Sequence, residues 1–139
     1  MNEFLVTSER QTKLRFHSRR YQRDGWLASY LVTLEGNDFS ATTLVGNSEM
    51  GVSPARLFDE MVSEWTGWKG EKGWGALDGE MSMGATTDSL GHISLKVILD
   101  PKDGPPEWYA RLTLVLESGH LEQLAAEARA FFSSCAVQK

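Results

Sequence analysis

Residues 92 to 99 alternate without interruption, with Ile93, Leu95, Val97 and Leu99 on one side and His92, Ser94, Lys96 and Ile98 on the other. A period of two is the pattern of a strand with one face buried. What constrains the fold is that neighbouring segments repeat this pattern across short turns. In residues 12 to 19, Leu14 and Phe16 oppose Lys13, Arg15, His17 and Arg19. Residues 26 to 35 put Trp26, Ala28, Tyr30, Val32 and Leu34 on one face. Gly36-Asn37-Asp38 is turn chemistry, and residues 39 to 45 return with Phe39, Ala41, Thr43 and Val45 aligned. Residues 79 to 87 and 107 to 117, the latter with Trp108, Ala110, Leu112, Leu114 and Leu116 inward, flank the clean strand. Strands joined by tight turns pair antiparallel, and a doubly wound parallel sheet would need helices between most of them.

Two segments carry helical spacing instead. Ser53-Pro54 opens the first, with serine able to cap and proline suited to the first turn. Leu57, Phe58, Met61, Val62 and Trp65 form its apolar stripe, and Thr66-Gly67 stops it. The second starts at Ser118-Gly119 and buries Leu121, Leu124, Ala125, Ala128, Phe131 and Phe132. The expected fold is α+β: a largely antiparallel, curved sheet of six or seven strands with two helices packed on one face. Length supports one domain over residues 1–139 with frayed ends.

The net charge is −5, unevenly spread. Residues 1 to 23 hold six basic groups against two acids; the remainder holds eight against seventeen. A net acidic chain argues against a nucleic-acid binder, whose affinity rests on phosphate neutralisation. The basic stretch reads either as a solvated strand face or as a local patch. If the inward assignments hold, Lys13, Arg15, Arg19, Lys96 and Arg111, with His92 and Tyr109, share one basic outer face suited to an acidic partner or an anionic ligand. No apolar run is long enough for a membrane span, and no secretory leader is visible, so a cytoplasmic protein is expected.

Catalytic patterns fail in turn. His17, His92 and His120 have no metal-ligand spacing. The stretch from Gly67 to Gly75 is glycine-rich but lacks the order of a phosphate loop. Gly46-Asn47-Ser48-Glu49-Met50 misses a nucleophile elbow because Met50 stands where glycine is required. The single cysteine, Cys135, lies near the chain end and reads as a small apolar residue closing the last helix. No enzyme, metal or cofactor is expected.

The glycine-rich stretch reads as an ordered loop whose Trp68 and Trp74 either pack on the core or anchor a partner together with Lys69, Glu71 and Lys72. The acids Glu60, Glu64, Glu71, Asp78 and Glu80 are expected to cluster around it. Trp68, Lys69, Glu71, Lys72, Trp74, Arg15 and Arg111 are the candidate partner-binding residues.

Leu57-Phe58, then Glu64-Trp65-x-Gly67-Trp68-x-Gly70-x-x-x-Trp74, then Gly91-His92-x-Ser94-Leu95 resemble the core of a bacterial domain-of-unknown-function family, number 6228. The likeness runs from about residue 13 to about residue 132. That family is similar to small immunity proteins that neutralise polymorphic toxins, such as the partner of wall-associated-protein toxins. The resemblance implies a small α+β protein without a cofactor and has no catalytic residues to carry over. Three readings follow. The first is a protein-binding module with a toxin as its partner. The second is a small-ligand binder with an apolar pocket between sheet and helices, lined by tryptophan and by Met61, Met81 and Met83. The third, an enzyme, lacks a site. A homodimer through a sheet edge is compatible with each.

Overall fold

A computed structural model describes residues 2–8 and 11–134. It is α+β and antiparallel, as the turns imply, but the strands form two sheets of four rather than one of six or seven. The N-terminal sheet runs β1 (Glu3–Thr7), β2 (Lys13–Tyr21), β3 (Leu27–Glu35), β4 (Ser40–Gly46), in that spatial order. Helix α1 (Ala55–Ser63) follows. The C-terminal sheet runs β5 (Lys72–Gly75), β6 (Met81–Thr87), β7 (His92–Leu99), β8 (Ala110–Glu117), again in order. A 3-10 turn, Ser118–His120, leads into α2 (Leu121–Phe132).

The sheet divides because α1 and its flanking loops separate β4 from β5, so the chain starts a new ladder instead of extending the old one. The two additional strands are β1, where frayed residues were expected, and β5, inside the glycine-rich stretch. Phe4 and Val6 explain the first: both are fully buried on β1. Trp74 explains the second, because its buried indole and the pairing of Gly73 with Gly84 fix four residues as an edge strand.

One continuous core spans both sheets and both helices. Aromatic rings fill its N-terminal half. Phe16 lies 5.5 Å from Phe4, 5.9 Å from Tyr30 and 5.0 Å from Phe132, centroid to centroid, and Phe4 meets Phe58 of α1 at 5.3 Å. Phe4 and Phe16 stack and the other three pairs meet edge to face, and aromatic pairs of both kinds add about 0.5–1.5 kcal/mol each beyond their buried area. The C-terminal half is aliphatic: Ile93, Leu95, Val97 and Leu99 of β7 are all fully buried, as their alternation requires.

Several expected orientations change. Leu27 is fully buried while its neighbours Trp26 and Ala28 are half-buried, and Phe39 is 41% exposed outside β4. Trp65 is 62% exposed, because α1 ends at Ser63 and the next residues turn away before helical spacing can bring the indole inward. Trp108 is 37% exposed and lies outside β8, which begins at Ala110 after the proline-rich loop. Arg19 leaves the outer face because the β2–β3 register shifts after His17 and Ser18 takes φ 55°, a bulge that inverts the alternation. Its guanidinium donates to the Phe131 carbonyl and sits 4.5 Å from the Phe131 ring centroid. Cys135 lies outside the described residues.

Candidate functional site

The two sheets meet at the end of β4. There the Glu80 carboxylate, 9% exposed, accepts the Gly46 N–H at 2.9 Å. The bond ties the turn after β4 to the β5–β6 turn. Glu80 Oε1 and the nearby Tyr30 hydroxyl are buried without a hydrogen-bond partner among the described residues. Burial, and then the Glu80 charge, push the Tyr30 phenol well above its ordinary pKa.

Beside this junction a cleft of about 260 Å³ opens between the turns, with Trp26, Asn47, Glu49, Leu77, Asp78 and Glu80 among its walls. Its frame is held by backbone bonds. Asn47 donates its side-chain amide to the Leu27 carbonyl (2.7 Å) and its own N–H to the Ala28 carbonyl (2.8 Å). The Trp26 indole N–H donates to the Asn47 carbonyl at 2.9 Å, fixing the ring as a wall. Opposite, Gly79 takes φ 82°, a left-handed conformation that closes the β5–β6 turn. Met50, 85% exposed, adjoins Glu49, and Leu77 is 59% exposed. The result is an acidic, indole-walled cleft with apolar shoulders. It suits a cationic group: carboxylates supply charge and an aromatic face supplies further attraction.

The residues singled out from the sequence lie elsewhere. Trp74 is 9% exposed, and its indole N–H donates to the Val52 carbonyl. Trp68 is half-buried and donates to the Ala85 carbonyl at 3.0 Å, while its backbone exchanges hydrogen bonds with the Thr87 hydroxyl. Both indoles therefore pack on the core and pin the chain around β5. Lys72 pairs with Glu64 and lies 5.3 Å from the Trp68 ring centroid. Lys69 is exposed, and Glu71 reaches Lys96 at 3.5 Å. The expected acidic cluster is split: Glu64 and Glu71 stand toward one end of the β5–β6 hairpin, and Asp78 and Glu80 at the other.

The expected basic face is also divided, because its residues belong to different sheets. Arg15 lies on the N-terminal sheet between Glu3 (3.1 Å) and Glu35 (3.5 Å); Arg111 and Lys96 lie on the C-terminal sheet. Each outer face is of mixed sign.

Sequence reasoning missed Trp26, Asn47 and Glu49 as neighbours of Asp78 and Glu80. Residues about thirty to fifty positions apart carry no local pattern that announces their meeting. A second hollow, a crevice of about 390 Å³, lies between β1, β8 and α2, with Leu5, Val115, Leu124 and His120 among its walls. The methionines expected around a ligand pocket are core instead, with Met61 and Met81 fully buried and Met83 at 3%.

Residues 5–135 match the family described as a family of unknown function, DUF6228. The chain belongs to that family. The match takes in all eight strands save the first residues of β1, and both helices, so the cleft and the crevice both lie within the family's span. No curated protein and no solved structure matches the chain significantly. Among the described residues no helix is long and apolar enough to cross a membrane, and no group of three or more His, Cys, Asp or Glu side chains is arranged to hold a metal.

Proposed function

We propose that this chain is a non-catalytic protein-binding module that seats a basic segment of its partner in the cleft between the two turns. In this reading it works in the cytoplasm as a small inhibitor of the immunity type, with a toxin as the partner. One observation carries the reading: Glu49 and Asp78, from turns of two different sheets, line one cleft with Trp26 and the exposed Leu77, above the buried Glu80. Interfaces concentrate their energy in aromatic anchors with a polar rim. Acidic rims also speed the approach of basic partners. The net charge of −5 acts in the same direction.

The test is affinity capture from the native host with the tagged protein, read by mass spectrometry and run beside a Glu49→Lys/Asp78→Lys variant. A basic protein recovered at near-equal stoichiometry with the native chain, and lost with the variant, is the expected result. Equal recovery by both chains would move the interface away from the cleft.

The crevice between β1, β8 and α2 supports a second reading, a small-ligand site between sheet and helix whose walls mix Leu5, Val115 and Leu124 with Glu117, Gln123 and Glu127. A thermal-shift screen tests it, because a ligand that binds only the folded state raises the melting temperature.

A further inference from the structure

We propose that the free edge of β4 pairs antiparallel with β4 of a second copy of this chain, across a two-fold axis at Thr42. The inference starts from which backbone groups point outward. Gly36 donates to the Phe39 carbonyl at 2.9 Å, so these two form a hydrogen-bonded pair, and the unbroken register makes Ala41, Thr43 and Val45 the β4 residues bonded to β3. Gly46 confirms the phase independently, because its N–H leaves the ladder and goes to Glu80. The N–H groups of Ser40, Thr42 and Leu44 therefore face away from β3, and none donates a hydrogen bond among the described residues.

The four sheet edges differ in how they are guarded. On β1 stands Glu3, and the Ser8 hydroxyl just beyond it is taken by the Val115 N–H of β8 at 3.2 Å. β8 also carries Arg111. β5 is four residues long and lies against α1. β4 reads Ser-Ala-Thr-Thr-Leu-Val-Gly, with no charge, no proline and no register shift; its tie to the other sheet is at its far end, where Gly46 bonds Glu80.

The same strand is complementary to itself. The outward groups at 40, 42 and 44 are symmetric about Thr42, so Ser40 meets the partner's Leu44 and Thr42 meets the partner's Thr42. No like charges oppose each other. On the outer face a hydrogen-bond chain runs from His17 Nε2 to Thr33 Oγ1 (2.8 Å) and on to Thr42 Oγ1 (2.8 Å). Pairing at the two-fold axis brings the last hydroxyl of this chain against its own copy, a favourable cross-strand threonine pair. Leu44, 56% exposed and opposite Leu31, gains cover. The contact closes on itself, so it stops at two copies. It also ends before Gly46 and leaves the acidic cleft open, so it stands or falls separately from the proposed partner site.

A five-residue strand pair is a small interface, so the dimer should be reversible, with a dissociation constant of about 1–100 µM. Sedimentation of the full chain from about 1 µM to about 1 mM brackets that range. The expected result is a concentration-dependent rise toward twice 15.5 kDa. Thr42→Lys sets two ammonium groups opposite each other, and Leu44→Lys charges the same edge without touching the hydroxyl chain. Each should weaken the dimer about tenfold or more while the circular-dichroism spectrum stays that of the native chain. A monomer across the whole range overturns the proposal. So does a dimer that both folded variants leave unchanged.

Discussion

The two sheets bury their inner faces with different chemistry. The N-terminal sheet presents Phe4, Phe16 and Tyr30 to Phe58, Phe131 and Phe132 of the helices, a few large rings in mutual contact. The C-terminal sheet presents many smaller groups, led by Ile93, Leu95, Val97 and Leu99; the indoles of Trp68 and Trp74 bond the carbonyls of Ala85 on β6 and of Val52 in the loop before α1. Energy concentrated in a few rings is lost in large steps, whereas energy spread over many aliphatic side chains is lost in smaller ones. Removing Phe16 makes the largest such step. Phe16→Ala should cost about 3–5 kcal/mol and Leu95→Ala about 2–4 kcal/mol, with the first larger by about 1 kcal/mol. Urea unfolding of both variants measures the difference. A Leu95→Ala loss equal to or above that of Phe16→Ala would break the contrast.

The outer faces differ in their response to acid. His17 on the N-terminal sheet has its pKa lowered below 6.5, by burial first and then by the Arg15 charge. Its ring bonds the Ser18 and Thr33 hydroxyls. The unfolded chain therefore binds this proton more readily than the folded one. The stability held at neutral pH declines as pH falls below 6.5 and through the lower folded value. In the β6–β7 turn of the C-terminal sheet the Asp88 carboxyl is held below 3.8, chiefly by the His92 N–H, with the Leu90 N–H adding to it. Its contribution is lost only as pH falls from 3.8 through that lower value. Melting temperatures over a pH series should show an early loss that His17→Gln removes, and a later acid loss that it leaves in place. A profile identical for the two chains would show that His17 does not set the early step.

The legible parts of this fold are those where one segment carries its own pattern. Strand β7 matches residues 92 to 99 because burial of alternate residues is written locally. The stripes of α1 and α2 were visible for the same reason, down to Phe58 and Phe131. What stayed hidden depends on partners or on single backbone angles. Ser18 gives no sign in the sequence of its positive φ, yet that angle moves Arg19 from the outer face to the end of α2. Gly73 and Gly75 suggested a loop, and only pairing with β6 makes them strand. The cleft was half visible: Asp78 and Glu80 stood out as acids, but Glu49 and Trp26 join them only through the meeting of two turns. The division into two sheets is of this kind as well, since each strand looks the same whichever ladder it joins.

The smallest expected effect concerns what roofs the outer faces. On the C-terminal sheet the Glu71 carboxylate lies where a Gly84 side chain would project, and it also reaches Lys96. A methyl group at position 84 must displace it. The displaced group is the tip of a side chain that is 49% exposed, so it can swing into solvent, and the exposed ion pair it gives up is worth only about 0–1 kcal/mol. Against that loss, replacing glycine in a strand restricts the unfolded chain and gains about 0.4–1 kcal/mol. Gly84→Ala should therefore change stability by no more than about 0.5 kcal/mol in either direction, with its dependence on salt reduced as the Glu71–Lys96 pair opens. A loss above about 2 kcal/mol in urea unfolding would mean that Glu71 is held rigidly over β6. The outer face of the C-terminal sheet would then be a packed layer, unlike the open face beside β4.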